Sequence, residues 1–144
     1  MKYTYDYPMP ALTADVLLLW EEEDSRKILL IKRGDKPFVN QWALPGGFME
    51  IDETLDQAAA RELKEETGLE NLALKQFGVF DKPGRDPRGR TVSVAYFSSI
   101  RKLQQKPKAA SDASETEWFD IDNLPELAFD HAEIIARARK IFKF

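Results

Sequence analysis

Apolar residues along the chain are gathered into short runs that polar turns separate. Residues 13–20 are almost continuously apolar and predict a buried strand. Residues 27–33 predict a second strand after the charged turn 21–26, so the two strands are expected to form a hairpin. The same pattern predicts strands at residues 41–44, 72–80, 91–99 and 117–121. Residues 34–40, 81–90 and 104–114 are expected to be loops.

Two segments carry apolar residues at helical spacing. Residues 55–67 are mainly strong helix formers, with Thr54 as the expected N-cap, Gln57 completing a capping box and Gly68 ending the helix. A second helix is expected after residue 130, where Asp130 and Glu133 predict another capping box. Strands with one helix between them and one at the end predict an α/β fold, with a mixed sheet between helical layers.

The first helix has an unusual arrangement of charges. At about 3.6 residues per turn, Glu62 and Glu66 fall inside the arc that carries its apolar side chains, and Glu65 lies on the flank of that arc. Arg61 is expected to point away. Inward-facing carboxylates four residues apart repel each other and are costly to desolvate. A divalent cation such as Mg²⁺ or Mn²⁺ removes both costs, because it prefers oxygen ligands. The alternative is a solvated, glutamate-rich helix face.

Composition narrows the class of protein. The chain has 144 residues, 43% of them hydrophobic, which is enough for a single domain over residues 1–144. The absence of cysteine excludes disulfides and thiolate metal sites. No signal-peptide pattern and no membrane-spanning apolar run are visible, so a cytoplasmic protein is expected. The net charge of −4 argues against nucleic acid as the main partner, and an anionic substrate would need cations at the site.

Residues 47–69 read GFMEIDETLDQAAARELKEETGL, and they complete an LPGG turn that begins at residue 44. This pattern resembles the signature of the Nudix hydrolases, which use Mg²⁺ to cut a diphosphate linked to a nucleoside. The resemblance implies an α/β/α sandwich over nearly the whole chain. It also implies that the carbonyl of Gly46 and the carboxylates of Glu62 and Glu66 bind Mg²⁺ (or Mn²⁺). Glu65 would complete the metal shell or orient water.

The resemblance continues outside the helix. It implies that Glu53 pairs with Arg61 and braces the loop against the helix. The stretches LLIKRGDKPFVNQWALPGGFME, FDKPGRDPRGRTVSVAYF and SDASETEWFDIDNLPELAFDHAEII resemble the ADP-ribose pyrophosphatase branch, as does the position of Pro83. That branch implies attack of water on ADP-ribose to give AMP and ribose 5-phosphate. It also implies a general base before the last strand, for which Glu115 is the first candidate and Glu117 the second. The alternative for Glu115 is a plain surface glutamate.

Five side chains are candidates for contacts with the substrate. The basic loop 81–90 is expected to clamp phosphate, and two aromatic residues are candidates for stacking on adenine. The five candidates are Arg33, Phe38, Phe80, Arg85 and Arg88. The ordinary alternatives are a solvated loop for the basic residues and the hydrophobic core for the aromatic ones. His131 is the only histidine, and a structural role is expected for it.

Other functions share the same motif. One is hydrolysis of nucleoside triphosphates such as oxidised dGTP. Another is a non-catalytic sensor of ADP-ribose, because the same stretches resemble the Nudix domain of repressors of NAD metabolism. The complete set of Glu62, Glu65 and Glu66 favours an enzyme over a sensor, and the acidic charge disfavours RNA decapping. The expected partner is a small-molecule nucleotide, and the branch resemblance implies a possible homodimer.

Overall fold

The computed structural model describes residues 2–101 and 113–144. Within these residues the chain forms seven strands and two helices. Their order is β1 (Ala11–Glu22), β2 (Ser25–Arg33), β3 (Trp42–Ala43), β4 (Gly46–Phe48), α1 (Leu55–Thr67), β5 (Lys75–Phe80), β6 (Thr91–Ile100), β7 (Ala113–Asp120) and α2 (His131–Phe142). Most of the predicted loop 104–114 lies outside the described residues, and its last two positions belong to β7.

Strand β1 lies at the centre of the sheet. It pairs in parallel with β6 and antiparallel with β2, and the second pairing is the hairpin expected from the sequence. The strand order is β3-β2-β1-β6-β5, while β4 pairs with β1 and β7 pairs with β2. Parallel and antiparallel neighbours occur in the same sheet, so the prediction of a mixed sheet is confirmed.

The two helices cover opposite faces of this sheet. Val16 and Leu18 of β1 belong to the hydrophobic cluster that α1 completes, whereas Leu17 and Leu19 belong to the cluster that α2 completes. Successive strand residues point to opposite faces, so β1 is buried from both sides. The α/β/α sandwich implied by the motif is therefore confirmed. None of the described helices is long and apolar enough to cross a membrane.

The helix starts agree with the sequence in one case and differ in the other. At α1, Thr54 Oγ1 accepts the N–H of Gln57 at 3.1 Å and the Gln57 side chain accepts the N–H of Thr54 at 2.9 Å. Gly68 follows the helix with a φ of 79°, as its role as the stop requires. At α2, Asp130 is the N-cap residue but forms no side-chain cap bond, so the predicted capping box there is wrong. Arg85 instead binds both of its carboxylate oxygens.

The strand limits also differ from the predicted ones. β4 was not predicted, because three residues with two glycines lack the β-branched and aromatic signal of a strand. Glycine is needed at its start, because a Cβ on Gly46 would collide with Asp15 Oδ1 on the neighbouring strand. β5 begins at Lys75 rather than at residue 72. β7 covers residues 113–120 rather than 117–121, because pairing with β2 extends it toward the N-terminus.

Candidate active site

A cavity of about 410 Å³ opens beside the LPGG turn, and we call it the cleft. Part of its lining comes from β4 and from the carboxylates of α1. Another part, which we call the guanidinium wall, comes from residues 33–36, Arg85, Asp86, Arg88, Phe129 and His131 at the start of α2. These elements are distant in sequence. Strand β1 brings two of them together, because the same part of β1 pairs with β4 and with the beginning of β6, which follows the loop that contains Arg85 and Arg88.

Glu66 is the most deeply buried carboxylate of α1. It is 7% exposed, and its Oε1 accepts the N–H of Gly46 at 2.8 Å. Burial raises its pKa to about 8, and the nearby carboxylates of Glu62 and Asp15 act in the same direction. Burial also raises the pKa of Glu62. Glu62 and Glu66 both line the cleft, and the surroundings of each disfavour its ionised form.

Arg61 connects the carboxylates of the motif. Its Nη2 donates to Glu53 Oε1 at 2.6 Å, and its Nη1 donates to Glu62 Oε1 at 2.8 Å and to Glu65 Oε2 at 3.2 Å. A further bond from Nη2 reaches the carbonyl of Phe48 at 2.9 Å. The expected Glu53–Arg61 pair is present in the structure. Arg61 does not point away from the site as helical spacing predicted, because its long side chain extends back over the loop before α1.

The donor set of the cleft fits a hard divalent cation. Burial disfavours the ionised form of both Glu62 and Glu66, and a cation would offset that effect. A Cβ on Gly47 would lie 2.5 Å from Glu62 Cδ, so glycine lets the turn approach the carboxylate closely. In the structure Glu62 and Glu65 bind Arg61, and no three acidic or imidazole groups among the described residues converge on a single metal position. A cation bound through the carboxylate oxygens that Arg61 contacts would require these side chains to turn away from Arg61.

The guanidinium wall is cationic and aromatic. The guanidinium of Arg88 lies 4.6 Å from the ring centroid of Phe48 and 5.2 Å from that of Phe129. Arg33 approaches the same Phe129 ring at 5.0 Å, and its Nε donates to a backbone carbonyl, that of Pro37. Burial, followed by the charge of Arg88, lowers the pKa of Arg33. Arg88 also binds Asp86 at 2.8 Å. The guanidinium groups of Arg33 and Arg88 thus both lie over the ring of Phe129, in the cleft that the carboxylates of α1 also line.

The floor of the cleft contains buried polar residues. Asp15 is 6% exposed and accepts hydrogen bonds from Ser93 and Thr13. His131 is 4% exposed, and its Nε2 lies 3.8 Å from Asp15 Oδ1. Sequence reasoning did not single out Asp15, although a signal was present: it is the only carboxylate within the apolar run 13–20. Phe48, Asp86 and Phe129 were also not singled out.

The structure brings most of the predicted site residues to the cleft. Those that line it are Arg33, Gly46, Arg61, Glu62, Glu65, Glu66, Arg85 and Arg88. Phe38 packs edge-on against Phe129, with ring centroids 4.8 Å apart. Phe80 lies in the core at 5% exposure with Arg137 over its ring, so its face is not available for adenine. Glu115 is outside the described cleft lining and lies 3.9 Å from Lys32 Nζ.

The fold and the cleft define an α/β/α protein with carboxylates on one helix that suit a divalent cation. The family model of the NUDIX domain matches residues 9–138. The chain is 46% identical over 129 residues to an ADP-ribose pyrophosphatase from Methanocaldococcus jannaschii, which covers 90% of this chain and 73% of that relative. It spans 54% of the length of a second curated relative, the ADPR responsive transcriptional repressor NtrR from Acinetobacter baylyi. The chain belongs to the Nudix hydrolase family.

Two solved structures give the comparison a ligand context. One is the NUDIX domain of Shewanella oneidensis NrtR complexed with ADP ribose, with a TM-score of 0.86, 31% identity, and coverage of 96% of this chain and 94% of that one. The other is a bifunctional NMN adenylyltransferase/ADP ribose pyrophosphatase from Francisella tularensis, complexed with AMP and a Mn ion. Its TM-score is 0.80 at 31% identity, and 94% of this chain matches 43% of that one.

Proposed function

We propose that the protein hydrolyses ADP-ribose at its diphosphate, giving AMP and ribose 5-phosphate, with Mg²⁺ or Mn²⁺ bound in the cleft. One observation carries the proposal: the carboxylates of α1 and the guanidinium groups of Arg33 and Arg88 line the same cleft. A diphosphate needs both, since a cation must stand between it and the carboxylates. The names of the M. jannaschii relative and of the ADP-ribose complex of the NrtR domain support this substrate.

The α1 side of the cleft would hold the cation. The proposed ligands are the carbonyl of Gly46 and the carboxylates of Glu62 and Glu66, with Glu65 on the flank. When bound, the cation supplies charge neutralisation of the diphosphate and lowers the pKa of water. Arg61 and Glu53 act as support, because their ion pair fixes the loop that leads into α1. The Glu65 side chain is 47% exposed, so on release from Arg61 its carboxylate would be accessible for orienting water.

The guanidinium wall would bind the substrate. Arg33 and Arg88 point into the cleft and are proposed to contact the diphosphate and the terminal ribose. Phe38 supports this wall through Phe129, and we propose no adenine contact for Phe80. Glu115 stays the predicted general base from the branch resemblance. Glu115→Gln tests it: a loss of kcat of about a hundredfold would support the role, and an unchanged kcat would make it a surface residue.

The experiment is product analysis with a panel of substrates. The panel contains ADP-ribose, NADH, diadenosine polyphosphates, GDP-mannose and 8-oxo-dGTP, each with Mg²⁺ and with EDTA. We expect equal amounts of AMP and ribose 5-phosphate from ADP-ribose in Mg²⁺ and none in EDTA. A higher kcat/KM for 8-oxo-dGTP would contradict the substrate and leave the metal site in place.

A second candidate is a non-catalytic regulator that responds to ADP-ribose. The specific observation in its favour is the 0.86 TM-score to the NrtR domain in its ADP-ribose complex. Calorimetric binding of ADP-ribose without turnover, in Mg²⁺ and in Mn²⁺, would favour the regulator. Turnover under the same conditions would favour the enzyme. The homodimer and the single-domain organisation stay predictions, and sedimentation equilibrium tests the first of them.

A further inference from the structure

Arg85 lines the cleft but is not built like a substrate clamp. Its side chain is 4% exposed. Its Nε donates to Asp130 Oδ2 at 2.9 Å and its Nη2 donates to Asp130 Oδ1 at 2.6 Å. Arg88 binds Asp86 with the same two nitrogens but is 37% exposed, so it is burial together with the Asp130 pair that keeps Arg85 from phosphate. Asp130 in turn forms no cap bond to α2, although it is the N-cap residue. The pair therefore fastens the segment between β5 and β6 to the start of α2.

The residue after Asp130 connects this pair to the LPGG turn. His131 Nδ1 accepts the N–H of Leu44 at 3.0 Å, and both residues are buried. A second bond runs alongside, from the N–H of Ala128 to the carbonyl of Trp42 at 2.8 Å. Burial lowers the pKa of His131, so the imidazole is neutral. An Nδ1 that accepts a hydrogen bond places the single proton on Nε2.

The LPGG turn continues the connection to the carboxylates of α1. The carbonyl of Pro45 accepts the N–H of Val16 at 2.7 Å, and the N–H of Gly46 donates to Glu66 at 2.8 Å. The turn also packs directly against Asp15, where even a Cβ on Gly46 would be too close. Each pair of successive residues between Arg85 and Glu66 is thus joined by a hydrogen bond or a peptide bond. The turn itself is held by hydrogen bonds to His131, Val16 and Glu66.

We propose that Arg85, Asp130 and His131 are positioning residues that fix the LPGG turn, and with it the Gly46 carbonyl and the Glu66 carboxylate, for metal binding. The inference rests on the proposed function, because it takes Gly46 and Glu66 as part of the metal site. It assigns Arg85 a different role from the phosphate clamp that the sequence suggested. Substitution of a residue that orients a metal ligand typically lowers metal affinity or activity by about 10- to 100-fold.

The first test compares substitutions of Arg85 with a matched control. Arg85→Lys keeps the charge but loses the two-pronged bond, and Arg85→Ala removes both. We expect kcat with ADP-ribose to fall about tenfold, KM to stay within about twofold, and the Kd of Mn²⁺ from electron paramagnetic resonance to rise about tenfold. Arg139→Ala, which removes an arginine that pairs with Asp122 at 3.4 Å at the other end of α2, should change none of the three. A tenfold rise in KM with unchanged kcat and Mn²⁺ affinity would overturn the proposal and make Arg85 a clamp.

The second test uses His131 directly and needs no substrate. Because it is the only histidine, its imidazole nitrogens give one pair of signals in a long-range ¹H–¹⁵N spectrum. We expect the Nε2–H tautomer in the wild-type protein, and a faster exchange of the Leu44 amide in Arg85→Lys. His131→Asn, which places an acceptor near the position of Nδ1, should keep Mn²⁺ affinity within about threefold, whereas His131→Gln should lose about tenfold. The Nδ1–H tautomer, or equal losses in both variants, would overturn the positioning role. If the wild-type protein binds Mn²⁺ but does not turn over ADP-ribose, the proposed substrate fails and these readouts still stand.

Discussion

The two helices start differently although the same signature precedes both. At α1, Thr54 and Gln57 bind each other's backbone and nothing more distant is needed. At α2, the Asp130 carboxylate is taken by Arg85, 45 residues earlier in the chain. The comparison teaches that a capping signature predicts where a helix begins, but not which group its side chain binds.

The difference follows from where each start lies. The start of α1 is exposed, and this helix contributes its cleft carboxylates two turns later, from Glu62 onward. The start of α2 forms part of the cleft wall through His131. In α1, the residues that cap the helix and the residues that line the cleft therefore lie in separate turns. In α2, both lie in the first turn. Substitutions that affect one property and spare the other can test this separation.

The largest expected effect is on the cleft side of α1. Glu66→Gln should lower kcat by at least about a hundredfold while the fold stays intact, because the amide is a weak ligand for a divalent cation. The measurement is kcat with Mg²⁺, together with circular dichroism. Glu133→Gln, on the exposed first turn of α2, is the matched control and should keep full activity. Retention of near-full rate by Glu66→Gln would remove Glu66 from the metal site.

The same residue should make the metal-free protein less stable at high pH. Burial raises the pKa of Glu66 to about 8, well above the ordinary value of 4.5, so the folded protein binds this proton more tightly than the unfolded chain. The contribution to the free energy of unfolding is fully present below pH 4.5 and is lost as the pH rises through about 8. Each pKa unit corresponds to about 1.4 kcal/mol. In EDTA, thermal unfolding should show a Tm that falls between these pH values in the wild type and much less in Glu66→Gln. Parallel curves for the two proteins would contradict the raised pKa.

In the guanidinium wall, Arg88→Ala should mainly weaken substrate binding. We expect KM for ADP-ribose to rise about tenfold with kcat within about threefold, because Arg88 contacts no carboxylate of α1 in the structure. Steady-state kinetics measures both constants. Arg90→Ala in the same loop, where Arg90 donates to the carbonyl of Asp81, is the control. Equal effects of the two substitutions would contradict a specific contact of Arg88 with the substrate.

How far the sequence predicts this molecule depends on the distance between the interacting residues. The limits of α1, its caps and the inward placement of Glu66 follow from local spacing, and the structure has them. The Ser93–Asp15 bond joins residues 78 positions apart, so no local pattern could indicate it. The hypothesis that Phe80 stacks on adenine depends on which face of the sheet its side chain occupies. A shift of one residue along a strand moves a side chain to the opposite face, so the sequence does not fix the face of Phe80. In the structure that face is the core beneath Arg137.

The smallest expected effect tests the helix starts themselves. Thr54→Ala removes the side-chain acceptor for the Gln57 N–H and should lower the free energy of unfolding by about 1 kcal/mol, with kcat and KM unchanged. Glu133 is the N3 member of the signature in α2, as Gln57 is in α1, and since no side-chain cap bond forms at Asp130, Glu133→Ala should lower it by less than about half as much. Urea unfolding monitored by circular dichroism resolves a difference of this size when the m-values agree. Equal losses would mean that the cap box of α2 forms in solution, and the contrast between the two helix starts would then disappear.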